Sequence, residues 1–197
     1  MMRFHSRYHL FLCFCLMLFL GCDATIPLDP TTGFEVFTIQ KGNQNSVVRN
    51  EDFTSQGIEV TVIFDESAIY TFEDANDQSD INKLIGFSDC DRFHQLESAR
   101  IGWRWFNDEL QILTYVYNDG DLSFKLMGSV PLNTTIALSI VIQDDHYVFS
   151  GDQLSTLTIP RASDCSDGVN YWLWPFFGGN QSAPQEVTIQ VKRKVIN

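Results

Sequence analysis

Basic and aromatic side chains recur at even spacings in two neighbouring segments of the chain. Arg100 and Arg104 do so in "RIGWRWF", and Tyr115 and Tyr117 do so in "ELQILTYVY". Residues two apart on a strand point to the same side of a sheet. Guanidinium groups donate paired hydrogen bonds to carboxylates, and flat aromatic rings suit sugar rings. The spacing therefore predicts a surface for hydroxylated or carboxylated ligands.

We call this surface the arginine face, the sheet face that carries Arg100 and Arg104. Strand pairing is predicted to add further residues to it: Gln111, Leu113, Tyr115, Tyr117, Asp121, Ser123 and Lys125. His94 lies in the loop between Cys90 and the predicted strand "RIGWRWF", and it could reach the same face. The predicted ligand-binding residues are Arg100, Arg104, Gln111, Tyr115, Tyr117, Lys125 and His94. A plainer interpretation stays open, because outer sheet faces are normally polar and loop histidines are usually only solvated.

Hydrolytic and metal chemistry have weaker support in the sequence. Retaining glycoside hydrolysis needs two carboxylates about 5 Å apart, and the sequence has no string such as Glu-x-Asp-x-x-Glu that would place them on a strand. The segment "DANDQSD" (74–80) has oxygen ligands for calcium but lacks the glycine and final glutamate of an EF-hand. A structural calcium ion stays open there. Otherwise we predict no cofactor, no metal ligand and no assigned catalytic residue.

The register of the first hairpin decides whether the tryptophans belong to a core or to a ligand platform. We predict that Asn107 and Asp108 form a two-residue turn. Trp103 and Trp105 then share an apolar face opposite the arginine face, so we predict that they are core residues. The turn implies four cross-strand pairs: Trp105 with Leu110, Trp103 with Ile112, Arg104 with Gln111, and Arg100 with Tyr115.

The second hairpin, "YNDGDLSFKLM", allows two registers. A two-residue turn would place Leu122, Phe124 and Leu126 on the arginine face. A three-residue loop over 118–120, with Gly120 left-handed in a bulge, would place them with the tryptophans. Because large apolar side chains favour the core, we predict the three-residue loop.

Short segments with a period of two recur between turn residues, and no helical period is sustained. Eleven segments are predicted strands: FEVFTIQ, GIEVTVIF, AIYTF, RIGWRWF, ELQILTYVY, LSFKLMG, TIALSIVI, HYVFS, LSTLTIP, YWLWPFF and EVTIQVK. So many half-buried strands, without helices to cover a sheet, predict an all-β antiparallel sandwich.

The N-terminal segment has the composition of a secretory leader. Arg3 and Arg7 precede an apolar run over 10–20, which is about half of the roughly 20 residues that span a bilayer. The following Gly21-Cys22 resembles the lipobox of bacterial lipoproteins, in which the cysteine is acylated. We predict a signal peptide over 1–21, lipidation of Cys22, a tether over 22–33 and one sandwich domain over 34–197. An ordinary signal peptide cut elsewhere stays open.

The charge and the cysteines narrow the setting further. Loss of residues 1–21 removes two basic residues and leaves 176 residues with a formal charge of −14. This charge argues against nucleic acid as a partner. With Cys22 lipidated, Cys90 and Cys165 remain to pair in an oxidising compartment, so we predict a disulfide. A metal site is the alternative, although the two cysteines lack the paired spacing of a zinc site.

Five segments carry a resemblance to a known group of proteins: "DINKLIGFSDC" (80–90), "SARIGWRW" (98–105), "YVYNDG" (115–120), "GSVPL" (128–132) and "WPFFGGNQSAP" (174–184). They resemble secreted lipoproteins of Gram-negative bacteria with a concanavalin A-like jelly-roll domain, a family whose activity is uncharacterised. The resemblance covers most of residues 34–194. It implies a jelly-roll fold and a place in the cell envelope, at the outer membrane, and it implies no activity.

Three functions are compatible with these observations. The leading hypothesis is an envelope-anchored binding module for carbohydrate, with a glycan or other small polar ligand as partner and the membrane contacted through the lipid alone. The second is a polysaccharide lyase or glycosidase that uses His94 and the tyrosines. The third is a structural or assembly lipoprotein. Sandwiches of this type include lectins and enzymes, so the fold does not decide between them.

Overall fold

Twelve β-strands form the framework of the computed structural model, which describes residues 25–162, 165 and 169–196. A 3-10 turn, Glu66–Ala68, and a short helix, α1 Ala75–Ser79, complete its regular structure. The strands are β1 Glu35–Ile39, β2 Asp52–Thr54, β3 Gly57–Phe64, β4 Asn82–Ser88, β5 Ser98–Phe106, β6 Glu109–Asn118, β7 Asp121–Val130, β8 Ile136–Gln143, β9 His146–Gly151, β10 Leu157–Pro160, β11 Val169–Leu173 and β12 Val187–Ile196.

The strands form two six-stranded antiparallel sheets that pack face to face. The first sheet has the order β1-β12-β3-β8-β9-β10, and the second has the order β2-β11-β4-β5-β6-β7. Alternate side chains of each strand point into the space between the sheets. There the fully buried rings of Phe64 and Trp103 meet with their centroids 5.2 Å apart. The predicted all-β antiparallel sandwich is confirmed.

The β5–β6 hairpin has the predicted register. Asn107 and Asp108 have φ values of 55° and 58°, as a two-residue type I′ turn requires. Trp103 is fully buried and Trp105 is partly buried against the core, so the tryptophans face inward as predicted. The four expected pairs all form: Trp105 with Leu110, Trp103 with Ile112, Arg104 with Gln111, and Arg100 with Tyr115.

The predicted three-residue loop of the β6–β7 hairpin is wrong. Asn118 pairs with Asp121, and the two residues between them, Asp119 and Gly120, form a two-residue turn with φ values of 51° and 85°. β7 is an edge strand, and its first six residues are exposed on both sides. Apolar residues on this strand are therefore not evidence for a core face. The preference of large apolar residues for the core led to the wrong turn. The resulting pairs are Leu122 with Tyr117, Phe124 with Tyr115, and Leu126 with Leu113.

Periodicity missed two strands and predicted one that does not form. β2 has three residues, and all seven residues of β4 are buried, so neither shows the alternation of a half-buried strand. The predicted strand "AIYTF" (68–72) is irregular. The side-chain amide of Gln78 accepts a hydrogen bond from the Phe72 N–H and donates one to the Tyr70 carbonyl. It thereby satisfies backbone groups that a partner strand would otherwise bind.

The predicted disulfide is confirmed between Cys90, after β4, and Cys165, between β10 and β11. Their Cα atoms lie 5.8 Å apart. The predicted signal over 1–21 and the predicted lipidation site at Cys22 lie outside the described residues. Within the predicted tether, the carbonyl of Pro27 accepts a hydrogen bond from the Val36 N–H of β1. None of the helices in the described part of the chain has the length and apolarity to cross a bilayer.

Candidate functional site

Arg100 is a buried cation on the arginine face. A side chain at Gly86, its partner on β4, would collide with the β5 backbone and with the Arg100 side chain, so the glycine makes room for the arginine. Nη2 of Arg100 donates to the Trp174 carbonyl over 2.7 Å, whereas Nε has no hydrogen-bond partner in the described part of the chain. Burial lowers the pKa of Arg100 to about 10. The guanidinium is therefore held in place with donor capacity to spare.

Lys83 of β4 lies on the same face, because it pairs with Gly102 of β5. Its Nζ donates to the Gly178 carbonyl over 2.7 Å and lies 4.8 Å from the centroid of the Tyr115 ring. Burial, followed by the charge of Arg100, lowers the pKa of Lys83 to about 8. Lys83 is not among the predicted binding residues, because β4 was not a predicted strand. A lysine inside the apolar run "NKLIGF" was the available signal.

Tyr115 and Tyr117 lie side by side on β6, with ring centroids 5.9 Å apart. Both are half-buried. Burial, followed by a hydrogen bond with Tyr117, raises the pKa of Tyr115, so its phenol stays protonated at neutral pH. The exposed side chains of Leu122 and Phe124 lie opposite these rings on β7. The tyrosine end of the arginine face is therefore the more open and apolar end.

Arg104 and Gln111 share the arginine face, but the fold already uses their polar groups. Arg104 Nε donates to Gln111 Oε1 over 2.9 Å, and Nη1 donates to the Ser79 carbonyl of α1 over 2.7 Å. The predicted membership of Lys125 is wrong, because it pairs with Thr114 and lies on the opposite side of the sheet. Of the predicted binding residues, Arg100, Tyr115 and Tyr117 therefore cluster, and Lys83 joins them.

His94 lies beside this cluster, in the loop before β5. Its carbonyl accepts a hydrogen bond from Ser98 Oγ over 2.7 Å, and its ring packs on Phe93. Together with Arg100 and Tyr171 it lines a cavity of about 260 Å³. Burial, followed by the charge of Arg100, lowers the pKa of His94, which favours the neutral imidazole. His94 and Arg100 therefore line the same cavity.

The cations of the arginine face lack the carboxylate partners that other arginines have. Lys83, Arg100 and Arg104 form no ion pair with any described residue, and Asp80 acts on Lys83 only at longer range. Burying a charge without a counter-charge is costly. The face is a local positive region in a chain of formal charge −12. Four other arginines each have a carboxylate oxygen at 3.9 Å or less: Arg49, Arg92, Arg161 and Arg193.

Carboxylates on the arginine face are far apart. The register places Asp52 of β2 and Glu109 of β6 on this face. Four strand spacings separate these strands, which puts the two residues at least roughly 19 Å apart. They also lie toward opposite ends of β5, because Asp52 aligns with Ser98 and Glu109 pairs with Phe106. Retaining and inverting hydrolysis need carboxyl groups about 5 Å and about 6.5–9.5 Å apart. These two carboxylates therefore fit neither mechanism.

Metal-ligating side chains gather at one place in the described ranges, at Asp89, Cys90 and Cys165. The two sulfur atoms are joined in the disulfide, and Arg161 and the Tyr147 hydroxyl bind the Asp89 carboxylate. In the segment once open for calcium, Asp74 caps the N–H of Asn76. Oδ2 of Asp77 in the same segment accepts a hydrogen bond from Gln181 Nε2, so both oxygens already take part in hydrogen bonds within the chain.

No protein-family model matches this sequence, and no curated protein matches it. Solved structures share its fold. An alginate lyase from Klebsiella pneumoniae aligns with a TM-score of 0.59 and 9% identity, over 86% of this chain and 84% of that one. The alginate lyase AlyC3 in complex with dimannuronate aligns with a TM-score of 0.54 and 10% identity, over 87% of this chain and 78% of that one.

A Bacteroides ovatus mixed linkage glucan GH16 protein in complex with a product aligns with a TM-score of 0.56 and 11% identity, over 88% of this chain and 86% of that one. At such low identity the likeness concerns the fold and carries no activity across. It agrees with the two antiparallel sheets described above. The chain is a concanavalin-like jelly-roll sandwich, similar in fold to alginate lyases and GH16 proteins.

Proposed function

We propose that the protein is a carbohydrate-binding module and that the arginine face is its binding surface. The observation that carries this proposal is the position of Tyr115 and Tyr117 beside two buried cations, Lys83 and Arg100. Aromatic rings offer flat apolar surface, and cations donate hydrogen bonds to sugar oxygens. Groups that are already held in place lose little entropy when a ligand binds. Neighbours in fold whose structures hold dimannuronate or a glucan product support a sugar ligand.

A glycan array tests this proposal. We expect the mature protein to bind at least one class of glycan, and Tyr117→Ala to weaken that binding tenfold or more, because it removes a half-buried ring from the face. Lys125→Ala is the matched control, because Lys125 lies on the other side of the same sheet. Circular dichroism checks that both variants fold. If no glycan binds, the structural or assembly role takes the place of this proposal.

The proposed setting is the bacterial cell envelope, with the module tethered by lipid on Cys22 to the outer membrane. The apolar leader and the Gly21-Cys22 pair support it. We expect Cys22→Ala to release the protein from membranes and to abolish labelling by a radioactive fatty acid, because the only expected acyl acceptor is lost. Persistent labelling of the variant would contradict the anchor without affecting the binding proposal.

A polysaccharide lyase is the second candidate, favoured by one observation. His94, Arg100 and Tyr171 line one cavity, where a neutral imidazole would act as base next to a guanidinium that neutralises a substrate carboxylate. Incubation with alginate and polygalacturonate, followed by ultraviolet absorbance of unsaturated products, tests it. Product that forms with the wild type and is lost in His94→Gln would favour the lyase. No product from substrates that bind would favour the binding module.

A further inference from the structure

We propose that the arginine face selects glycans that carry acidic groups, such as uronic acids or sulfated sugars, and that the acidic group binds between Lys83 and Arg100. This inference rests on the proposed function of the same face and names its ligand class. Its basis is the contrast between these two cations and the paired arginines elsewhere in the described chain.

Lys83 and Arg100 have no counter-charge among the described residues. Lys83 and Arg100 are only 7% and 8% exposed. Among the described residues, their hydrogen-bond partners are two backbone carbonyls, those of Gly178 and Trp174. A carbonyl is a dipole and does not neutralise a full charge, so each buried cation keeps much of its desolvation cost. An acidic group on a ligand would supply the counter-charge that the chain does not.

Arg100 has one N–H donor that no described residue binds. Nε of Arg100 is buried and has no hydrogen-bond partner among the described atoms. Buried polar groups in folded proteins are almost always paired, so an unpaired guanidinium donor in a candidate site points to a group that binds there. Arginine also matches carboxylate and sulfate oxygens by geometry, because its N–H groups form a planar fork. The Arg100 side chain lines the cavity of about 260 Å³ beside His94.

The whole chain carries a negative formal charge. With 13 basic and 25 acidic residues, the protein repels a polyanion at long range. Binding of an acidic glycan would therefore depend on a local arrangement of cations and not on general attraction. The charge of Asp80 acts on Lys83 at longer range, and the two residues form no ion pair. Removal of one cation from the arginine face should then matter far more than removal of a cation elsewhere.

Isothermal titration with matched polymers tests the proposal. The first pair is polygalacturonate and the same polymer after reduction of its carboxyl groups, which differ only in the acidic group. The second pair is dextran sulfate and dextran, which tells sulfate from carboxylate as the source of the charge. We expect the acidic member of at least one pair to bind ten times more tightly, or better, than its neutral partner.

Single substitutions locate the effect. We expect Lys83→Met and Arg100→Met each to weaken acidic-polymer binding tenfold or more. Lys125→Met makes the same charge change as Lys83→Met on the other side of the sheet, and it should leave binding within twofold. If Arg100→Met fails to fold, Lys83→Met carries the comparison, because the expected loss applies to either cation.

The outcomes separate this inference from the proposed function. Equal binding of the acidic and neutral members of each pair would overturn the acidic preference and leave the carbohydrate module intact. Neutral glycans bound on the array, with neither acidic polymer bound, would do the same. Equal loss in Lys83→Met and Lys125→Met would show diffuse charge and would also overturn it. No binding to any glycan would overturn both proposals.

Discussion

Two arginines of this sandwich, the half-buried Arg193 and the buried Arg100, have opposite electrostatic surroundings. The guanidinium carbon of Arg193, on β12, lies 4.7 Å from the ring centroids of Trp172 and Trp174. Its nitrogen atoms donate hydrogen bonds to the carboxylates of Glu35 and Glu51. Burial lowers the pKa of Arg193, but hydrogen bonds to the two carboxylates outweigh it, and the pKa rises. Arg100 has no carboxylate partner among the described residues, and burial lowers its pKa to about 10. The first arginine is neutralised within the chain, and the second is not.

The larger cavity belongs to the neutralised arginine. A groove of about 730 Å³ lies beside Arg193, compared with about 260 Å³ beside Arg100. Size alone would make the larger groove the binding site. However, a ligand there would have to compete with Glu35 and Glu51 for the guanidinium, and both already bind it. We infer that unmet charge marks the candidate site better than volume does.

The largest expected change in stability follows from the loss of Asp89, a fully buried carboxylate that pairs with an arginine. Asp89 is 1% exposed, and it binds Arg161 and the Tyr147 hydroxyl. We expect Asp89→Ala to lower the free energy of unfolding by about 3–5 kcal/mol, because it leaves a buried guanidinium without its partner. Urea unfolding measures this loss. Asp121→Ala, on the exposed edge strand, is the control and should cost under about 0.5 kcal/mol.

The next effect tests the paired arginine of the comparison directly. We expect Arg193→Met to lower the free energy of unfolding by about 2–3 kcal/mol, because Glu35 would lose its cation and Glu51 would keep only Arg49. The cost should be below that of Asp89→Ala, since these carboxylates are 20% and 28% exposed and water screens part of their charge. A cost below about 0.5 kcal/mol in urea unfolding would show that pairing does not set this arginine apart.

Much of the candidate site was predictable where one face of a strand is buried. Alternation of apolar and polar residues fixed the β5–β6 register, and Asn107-Asp108 named the turn. Cys90 and Cys165 were the two cysteines left to pair once the leader and Cys22 were set aside, which predicted their disulfide. Each of these inferences rests on a local rule with few competing solutions.

The rest was hidden where burial does not alternate. β4 is buried on both faces, so it has no period of two, and Lys83 escaped notice with it. β7 is exposed on both faces over its first half, so Phe124 and its neighbours gave a false core signal and misplaced Lys125. The burial of Arg100 without a carboxylate partner among the described residues could not be predicted either, because it depends on how the folded chain packs.

A smaller effect depends on pH and concerns Lys83. Below pH 8 this lysine is protonated in both the folded and the unfolded state, so its burial opposes folding. As the pH rises through about 8, the folded state releases the proton, whereas the unfolded state retains it up to about pH 10.5. We therefore expect the free energy of unfolding to rise by about 1–2 kcal/mol between pH 8 and pH 10, relative to Lys83→Met.

The difference between wild type and Lys83→Met is the quantity to measure, by urea unfolding at pH 7, 8, 9 and 10. Tyr70, Tyr115 and Tyr147 have raised pKa values, so they destabilise the folded state as the pH rises above about 10. Their contribution is common to both proteins and cancels in the difference. A difference that stays flat with pH would show that Lys83 titrates normally and is not held in a costly environment.

The smallest expected change in stability is that of Arg100→Met, the same substitution as at Arg193. It removes a buried charge that has no carboxylate partner among the residues that the structure describes, which favours folding. It also leaves the Trp174 carbonyl without its donor, which opposes folding by about 1–3 kcal/mol. Because these terms have opposite signs, we expect the free energy of unfolding to change by less than about 1 kcal/mol. A loss of 3 kcal/mol or more in urea unfolding, equal to or above that of Arg193→Met, would make Arg100 a structural residue and remove the contrast between the two arginines.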